Sequence, residues 1–263
     1  MTSKISDPEK FYKYRSMQPG AAEYVLQTIA SNEIYFASPN SFNDIFDCKP
    51  VVTFDCTDEQ FIEQYIALAR KRGSFFSRER TLHDARQAIG DPYRDLRITS
   101  AAVRFQRELA LSLHKTGVYC VSERNDDILM WAHYADHHRG VCLEFDSGAA
   151  EMIEAQRVIY AKDRPAIDQF RDTNVQEKME KALLTKSSHW SYEQEWRIVH
   201  HVKGVGKAKL ESNTLTGLIF GAAASKQTKD DIMHALANNG LSIPLYQAVP
   251  DDHEFKITVL PAT

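Results

Sequence analysis

Two glutamates one residue apart, Glu193 and Glu195, open the run Trp190-Ser-Tyr-Glu-Gln-Glu-Trp-Arg-Ile-Val199. In a β-strand, side chains two apart point to the same face, so this spacing predicts a pair of carboxylates side by side. Like charges held that close repel and raise the proton affinity of at least one partner. Such a pair suits a cation, a sugar or a reacting group that develops positive charge between the carboxylates. Arg197 lies two residues further on and shares the predicted face, so it could neutralise the pair with no ligand at all. The spacing is compatible with both outcomes.

The elements that must position the pair are short. Phe11 to Arg15 alternates like a strand, Ala22 to Ala30 has helical spacing, and Glu33 to Ala37 alternates again. Ser38 to Asp47 is dense in turn formers whose side chains bond their own backbone. Residues from about 57 to 114 have helical period, broken at Gly73 and at Gly90-Asp-Pro92 into three pieces. Gly117 to Ser122 is a compact apolar strand, and Asn125-Asp-Asp predicts a capped helix through Tyr134. Strands follow at Gly140 to Phe145, from Glu195, at Leu215 to Phe220, near Leu245 and at Phe255 to Val259. Helices are expected at Pro165 to Thr185 and Thr228 to Ala237. The pattern is α+β, read as a single domain over residues 1–263 with a helical insert at about 57–114.

Bulk properties narrow the function classes. The 263 residues can bury a substantial core, and 43% hydrophobic with 26% charged content is ordinary for a globular protein. There is no apolar run of about 20 residues, which argues against a membrane span. The N-terminal segment lacks the apolar core of a secretory signal, and a cytoplasmic location is expected. Cys48, Cys56, Cys120 and Cys142 form no Cys-x-x-Cys pair, and no His-Glu-x-x-His motif occurs, so no metal is expected. Against a net charge of -4, the stretch from Arg70 to Arg107 holds ten Lys or Arg and four Asp or Glu. Such a basic helical block could meet nucleic acid phosphates or simply form solvated helix faces.

Three segments together resemble the bacterial family known as domain of unknown function 2971. They are Ser38-Pro-Asn-Ser-Phe-Asn-Asp-Ile-Phe-Asp47, then Leu129-Met-Trp-Ala-His-Tyr-Ala135 with His138-Arg-Gly-Val-Cys-Leu-Glu-Phe145, and Lys186 through Trp190 to Arg197. That resemblance implies an association with bacterial antiviral defence and names no activity. A looser likeness is to ADP-ribosyltransferases of the Arg-Ser-Glu type. These carry an Arg on the first strand, a Ser ending a later strand and a Glu-x-Glu opening another. Arg15, Ser122 and Glu193-Gln-Glu195 occur here in that order, although Val121-Ser-Glu123 stands where the family shows Ser-Thr-Ser.

The second resemblance implies a small split sheet, mixed or antiparallel, and NAD as substrate. Cleavage of the nicotinamide–ribose bond builds positive charge on the ribose, as in glycoside hydrolysis. Glu195 would stabilise that charge and Glu193 would orient or deprotonate the acceptor. Arg15 would grip the pyrophosphate, with Ser122, Tyr14, His133, Tyr134 and Asn43 completing the cofactor-binding set. The expected reaction is ADP-ribosyl transfer to a macromolecular acceptor, nucleic acid before protein. A non-catalytic nucleotide sensor and an NAD or nucleotide hydrolase are the rivals.

Overall fold

The computed structural model describes residues 7–53, 57–71, 73, 76–91, 94–168 and 174–262, the side chains at 64, 68, 71 and 94–102 excepted. Cys56 lies outside the described residues, as do the side chains of Arg94 and Arg97 in the basic block. The chain begins β1 (Lys10–Arg15), α1 (Ala22–Ser31), β2 (Glu33–Phe36), β3 (Val51–Thr53), α2 (Asp58–Lys71), α3 (Arg78–Ile89) and α4 (Arg94–Lys115). It continues β4 (Gly117–Ser122), α5 (Ile128–Tyr134), β5 (Val141–Asp146), β6 (Gln156–Arg157), β7 (Ile159–Ala161), β8 (Ala166–Asp168) and α6 (Val175–Leu184). The last elements are β9 (Thr185–Ser187), β10 (Glu195–His200), β11 (Gly206–Lys209), β12 (Leu215–Phe220), α7 (Lys226–Asn238), β13 (Leu245–Pro250) and β14 (Ile257–Pro261).

The chain divides into two compact units. One comprises residues 1–41, 115–160 and 188–263; the other comprises 42–114 and 161–187. The helical stretch expected at 57–114 falls in the second unit as α2, α3 and α4. There β3 pairs in parallel with β8, and Lys186 and Asp47 form a buried ion pair at 3.8 Å. The helix expected from Pro165 begins only at Val175, after β8 and a stretch outside the described residues.

The first unit is built on an eight-stranded sheet in the order β14-β13-β12-β5-β1-β4-β10-β6. The α+β class holds, and the sheet is mixed because β12 and β13 run parallel while the other pairs are antiparallel. It is larger than the small split sheet expected. The sheet is continuous, with a seam where β1, which pairs β5 over six positions, meets β4 at one, Tyr12 against Ser122.

Alternation along the strands sorts side chains between two faces. Phe11, Val121, Leu143, Phe145, Trp196, Ile198 and Leu218 belong to one apolar cluster with Val25 and Ile29 of α1 and Ile232 and Leu236 of α7. Tyr14, Cys142, Ile219 and Ala248 face the other way and pack with Met130 and Trp131 of α5. Gly140 lets β5 start against β1, since a Cβ there would lie 2.1 Å from the Arg15 carbonyl oxygen.

Helix α5 is only seven residues long, so its cap matters. Asp127 accepts the amide N–H of Leu129 at 2.9 Å and of Met130 at 3.0 Å. Asp127→Ala is expected to lower stability by about 1 kcal/mol, read as a reduced urea midpoint with an unchanged slope. An unchanged midpoint would show that tertiary packing of Trp131 alone holds the helix.

Candidate functional site

The glutamate pair is not a strand pair. Glu193 ends a 3-10 turn, Ser188–Glu193, and Gln194 adopts φ +42 before β10 begins at Glu195. The left-handed residue interrupts the two-residue alternation of a strand between the two acids. Each has its own partner. Glu193 accepts the Tyr134 hydroxyl at 2.6 Å, and the Glu193 residue is 2% exposed.

Glu195 and Arg197 do share a face, as alternation in β10 requires. Arg197 Nε donates to one Glu195 oxygen at 2.7 Å and its Nη2 to the other at 3.1 Å. Arg197 is fully buried and Glu195 is 5% exposed. This bidentate fork fixes the carboxylate plane and supplies a countercharge inside the protein. Cys120, on the neighbouring strand of the same face, has its thiol pushed up to about 12 by burial and by the Glu195 charge.

Ser122 lies in register with Glu195 on one side and Tyr12 on the other. Its hydroxyl donates to the Glu193 carbonyl oxygen at 2.6 Å and accepts the Arg124 amide at 3.0 Å. Both bonds go to backbone, and the residue is 1% exposed. Its geometric role here is to hold the turn before β10.

Arg15 is not brought to this group. It pairs with Val141 of β5, on the face opposite Tyr14 and Ser122. Its guanidinium lies over the Tyr24 ring at 5.4 Å, and its charge acts on the Tyr119 phenol. The cation at the seam is Lys13. Its Nζ donates to the Cys120 carbonyl oxygen and sits over the Tyr119 ring at 4.9 Å. Burial, then the Arg15 charge, lower the Lys13 ammonium to about 8, while Glu195 and Glu193 act in the opposite sense. The sequence signal was a lysine between two aromatics, Tyr12 and Tyr14, in an otherwise half-apolar strand.

Tyr14 is a core residue at 3% exposure, edge-on to Trp131 with ring centroids 5.0 Å apart, and its hydroxyl donates to the Arg124 carbonyl oxygen. Burial pushes its phenol well above the usual range. Tyr134 and His133 both reach the site. His133 Nδ1 is 3.0 Å from the Tyr192 hydroxyl, and the rings of His133, Trp190 and Tyr192 lie 6.0–6.2 Å apart, centroid to centroid. His133 is exposed and the other two rings are half-buried, so the cluster forms an aromatic rim beside Glu193. Asn43 belongs to the second unit.

The gathered residues, from Tyr134 and Glu193 to Arg197, fall largely within one stretch. Residues 130–198 match the family model described as Protein of unknown function (DUF2971). Over that stretch the chain is similar to the DUF2971 family. The match includes α5, β5 and the Glu193-Gln-Glu195 segment, but not β1 or the Ser38–Asp47 loop. No curated protein and no solved structure matches the chain. Among the described residues no group of three or more His, Cys, Asp or Glu side chains is placed to hold a metal ion, and no helix is long and apolar enough to cross a membrane.

Proposed function

We propose that the first unit of this protein cleaves NAD at the nicotinamide–ribose bond and transfers ADP-ribose to a macromolecular acceptor. The observation that carries the reading is the seam. Strands β4 and β10 hold Ser122 and Glu195 in register on one face. Lys13, which alternation in β1 puts on the other face, has its ammonium on the Cys120 carbonyl oxygen, beside the single register pair of β1 and β4, where the Glu195 charge acts on it. In this reading Lys13, and not Arg15, supplies positive charge for the pyrophosphate. Nicotinamide departs with the bonding electron pair, and Glu195 stabilises the positive charge left on the ribose. Arg197 holds that carboxylate in a fixed plane before substrate arrives. The acceptor nucleophile then attacks C1′ and gives its proton to Glu193, whose hydrogen bond from Tyr134 fixes its orientation.

The basic stretch from Arg70 to Arg107 favours nucleic acid over protein as acceptor. The second reading, a nucleotide sensor without turnover, draws on the same geometry: both carboxylates already have protein partners. Incubation with NAD labelled in its adenylate half separates the readings. Label carried to nucleic acid or protein supports transfer, free labelled ADP-ribose supports hydrolysis, and binding with intact NAD supports the sensor.

Lys13 has its own pH signature. Its ammonium is charged below about pH 8 and neutral above it. Attraction for the pyrophosphate is therefore present at lower pH and lost as pH rises through about 8. KM for NAD is expected to rise about tenfold across that interval, a change worth one lost charge-assisted hydrogen bond. Lys13→Ala should start at the high KM and show no such step. A step that persists in Lys13→Ala assigns the titration elsewhere.

A further inference from the structure

The backbone joint between the two glutamates is held from outside its own strand. Gln194 is a non-glycine residue at φ +42, a conformation that L residues avoid unless their surroundings impose it. The neighbouring peptide groups are each bonded. The Glu193 carbonyl oxygen accepts from Ser122, and the Gln194 carbonyl oxygen accepts the Glu123 amide at 3.2 Å. The Gln194 amide donates to the Ser191 carbonyl oxygen at 3.3 Å. The Glu195 amide, the first of β10, donates to the Tyr160 hydroxyl at 2.8 Å. Two of these four acceptor or donor needs are met by side-chain hydroxyls, one from β4 and one from β7.

The joint decides where the carboxylates go. A regular strand through Glu193, Gln194 and Glu195 would put both acids on one face, competing for Arg197. Across the left-handed turn Glu193 accepts the Tyr134 hydroxyl and Glu195 accepts from the Arg197 guanidinium. We propose that Tyr160 is a positioning residue: with Ser122 it pins the Gln194 joint and so aims Glu195 for the chemistry argued above, on which its catalytic consequence rests. Tyr160 lies within the matched stretch 130–198, and its hydroxyl accepts the Glu195 backbone amide. Its effect on the reaction is therefore indirect.

The hydroxyl alone is the tested atom. Tyr160→Phe keeps the ring and is expected to raise hydrogen exchange at the Glu195 amide about tenfold, the amide having lost its acceptor. In the transfer assay, kcat should fall about tenfold with KM for NAD unchanged, because misplacement of Glu195 is felt in the transition state and not in NAD binding. Gln194→Gly, which tolerates the left-handed backbone, should keep wild-type kcat, whereas Gln194→Val should lose at least as much as Tyr160→Phe. Unchanged exchange at Glu195 in Tyr160→Phe overturns the pinning, whatever the activity. Faster exchange with wild-type kcat overturns the positioning role. If the wild-type protein transfers no label at all, the function proposed above fails by itself, and the exchange measurement still decides the joint.

Discussion

Arg197→Ala is expected to destabilise the first unit by about 3–5 kcal/mol, the cost of removing one partner from a buried ion pair. Arg197 has no solvent-exposed surface and holds both oxygens of Glu195, which is itself 5% exposed. Alanine leaves a carboxylate under the sheet face without its countercharge and opens a hole the size of a guanidinium stem. The loss should appear as a lower urea midpoint in the intact chain. Arg197→Met combined with Glu195→Gln separates the two causes. If the uncompensated charge dominates, that double variant should be more stable than Arg197→Ala, since neutral pairs of similar volume often replace buried ion pairs at little cost. A double variant as unstable as the single one would assign the loss to packing. A single variant within about 1 kcal/mol of wild type would mean that the pair behaves like an exposed surface bridge.

Arg197 also marks the limit of what the sequence makes legible. Period-two alternation correctly puts Glu195 and Arg197 on one face, because both lie inside β10. The same rule misplaces Glu193, because nothing local announces that Gln194 turns left-handed; the turn is imposed by Ser122 and Tyr160, 72 and 34 residues away along the chain from Gln194. Alternation within β1 puts Lys13 and Arg15 on one face, and the register of Tyr12 with Ser122 and of Ser122 with Glu195, a tertiary quantity, puts Glu195 on the other. The apolar strands β4, β5 and β12 are visible in sequence because burial on both faces gives a largely hydrophobic run. The short strands β3, β6 and β11 carry no alternation that stands out in the sequence. Helices α2 to α4 are legible from their spacing and from the glycines and proline between them.

Glu195→Gln is expected to lower kcat for ADP-ribosyl transfer by about 10²–10³-fold with KM for NAD nearly unchanged, the scale of removing one preorganised electrostatic group. The amide keeps the shape of the acid and can still accept a hydrogen bond from Arg197, so the fold should persist at temperatures well below the midpoint. What it lacks is negative charge. A neutral amide beside a buried guanidinium presents the ribose with a net positive neighbour, which opposes the charge that builds as nicotinamide leaves. Glu193→Gln should behave differently: nicotinamide release continues while label moves from acceptor to water, because only the base that takes the acceptor proton is gone. The two variants together distinguish a catalytic pair from an ion-paired strand. If Glu195→Gln retains full transfer, Glu195 serves the Arg197 bridge alone and the transferase reading loses its central residue. If both variants lose nicotinamide release equally, Glu193 acts on the ribose and not on the acceptor, and the roles assigned to the two acids must be exchanged or merged.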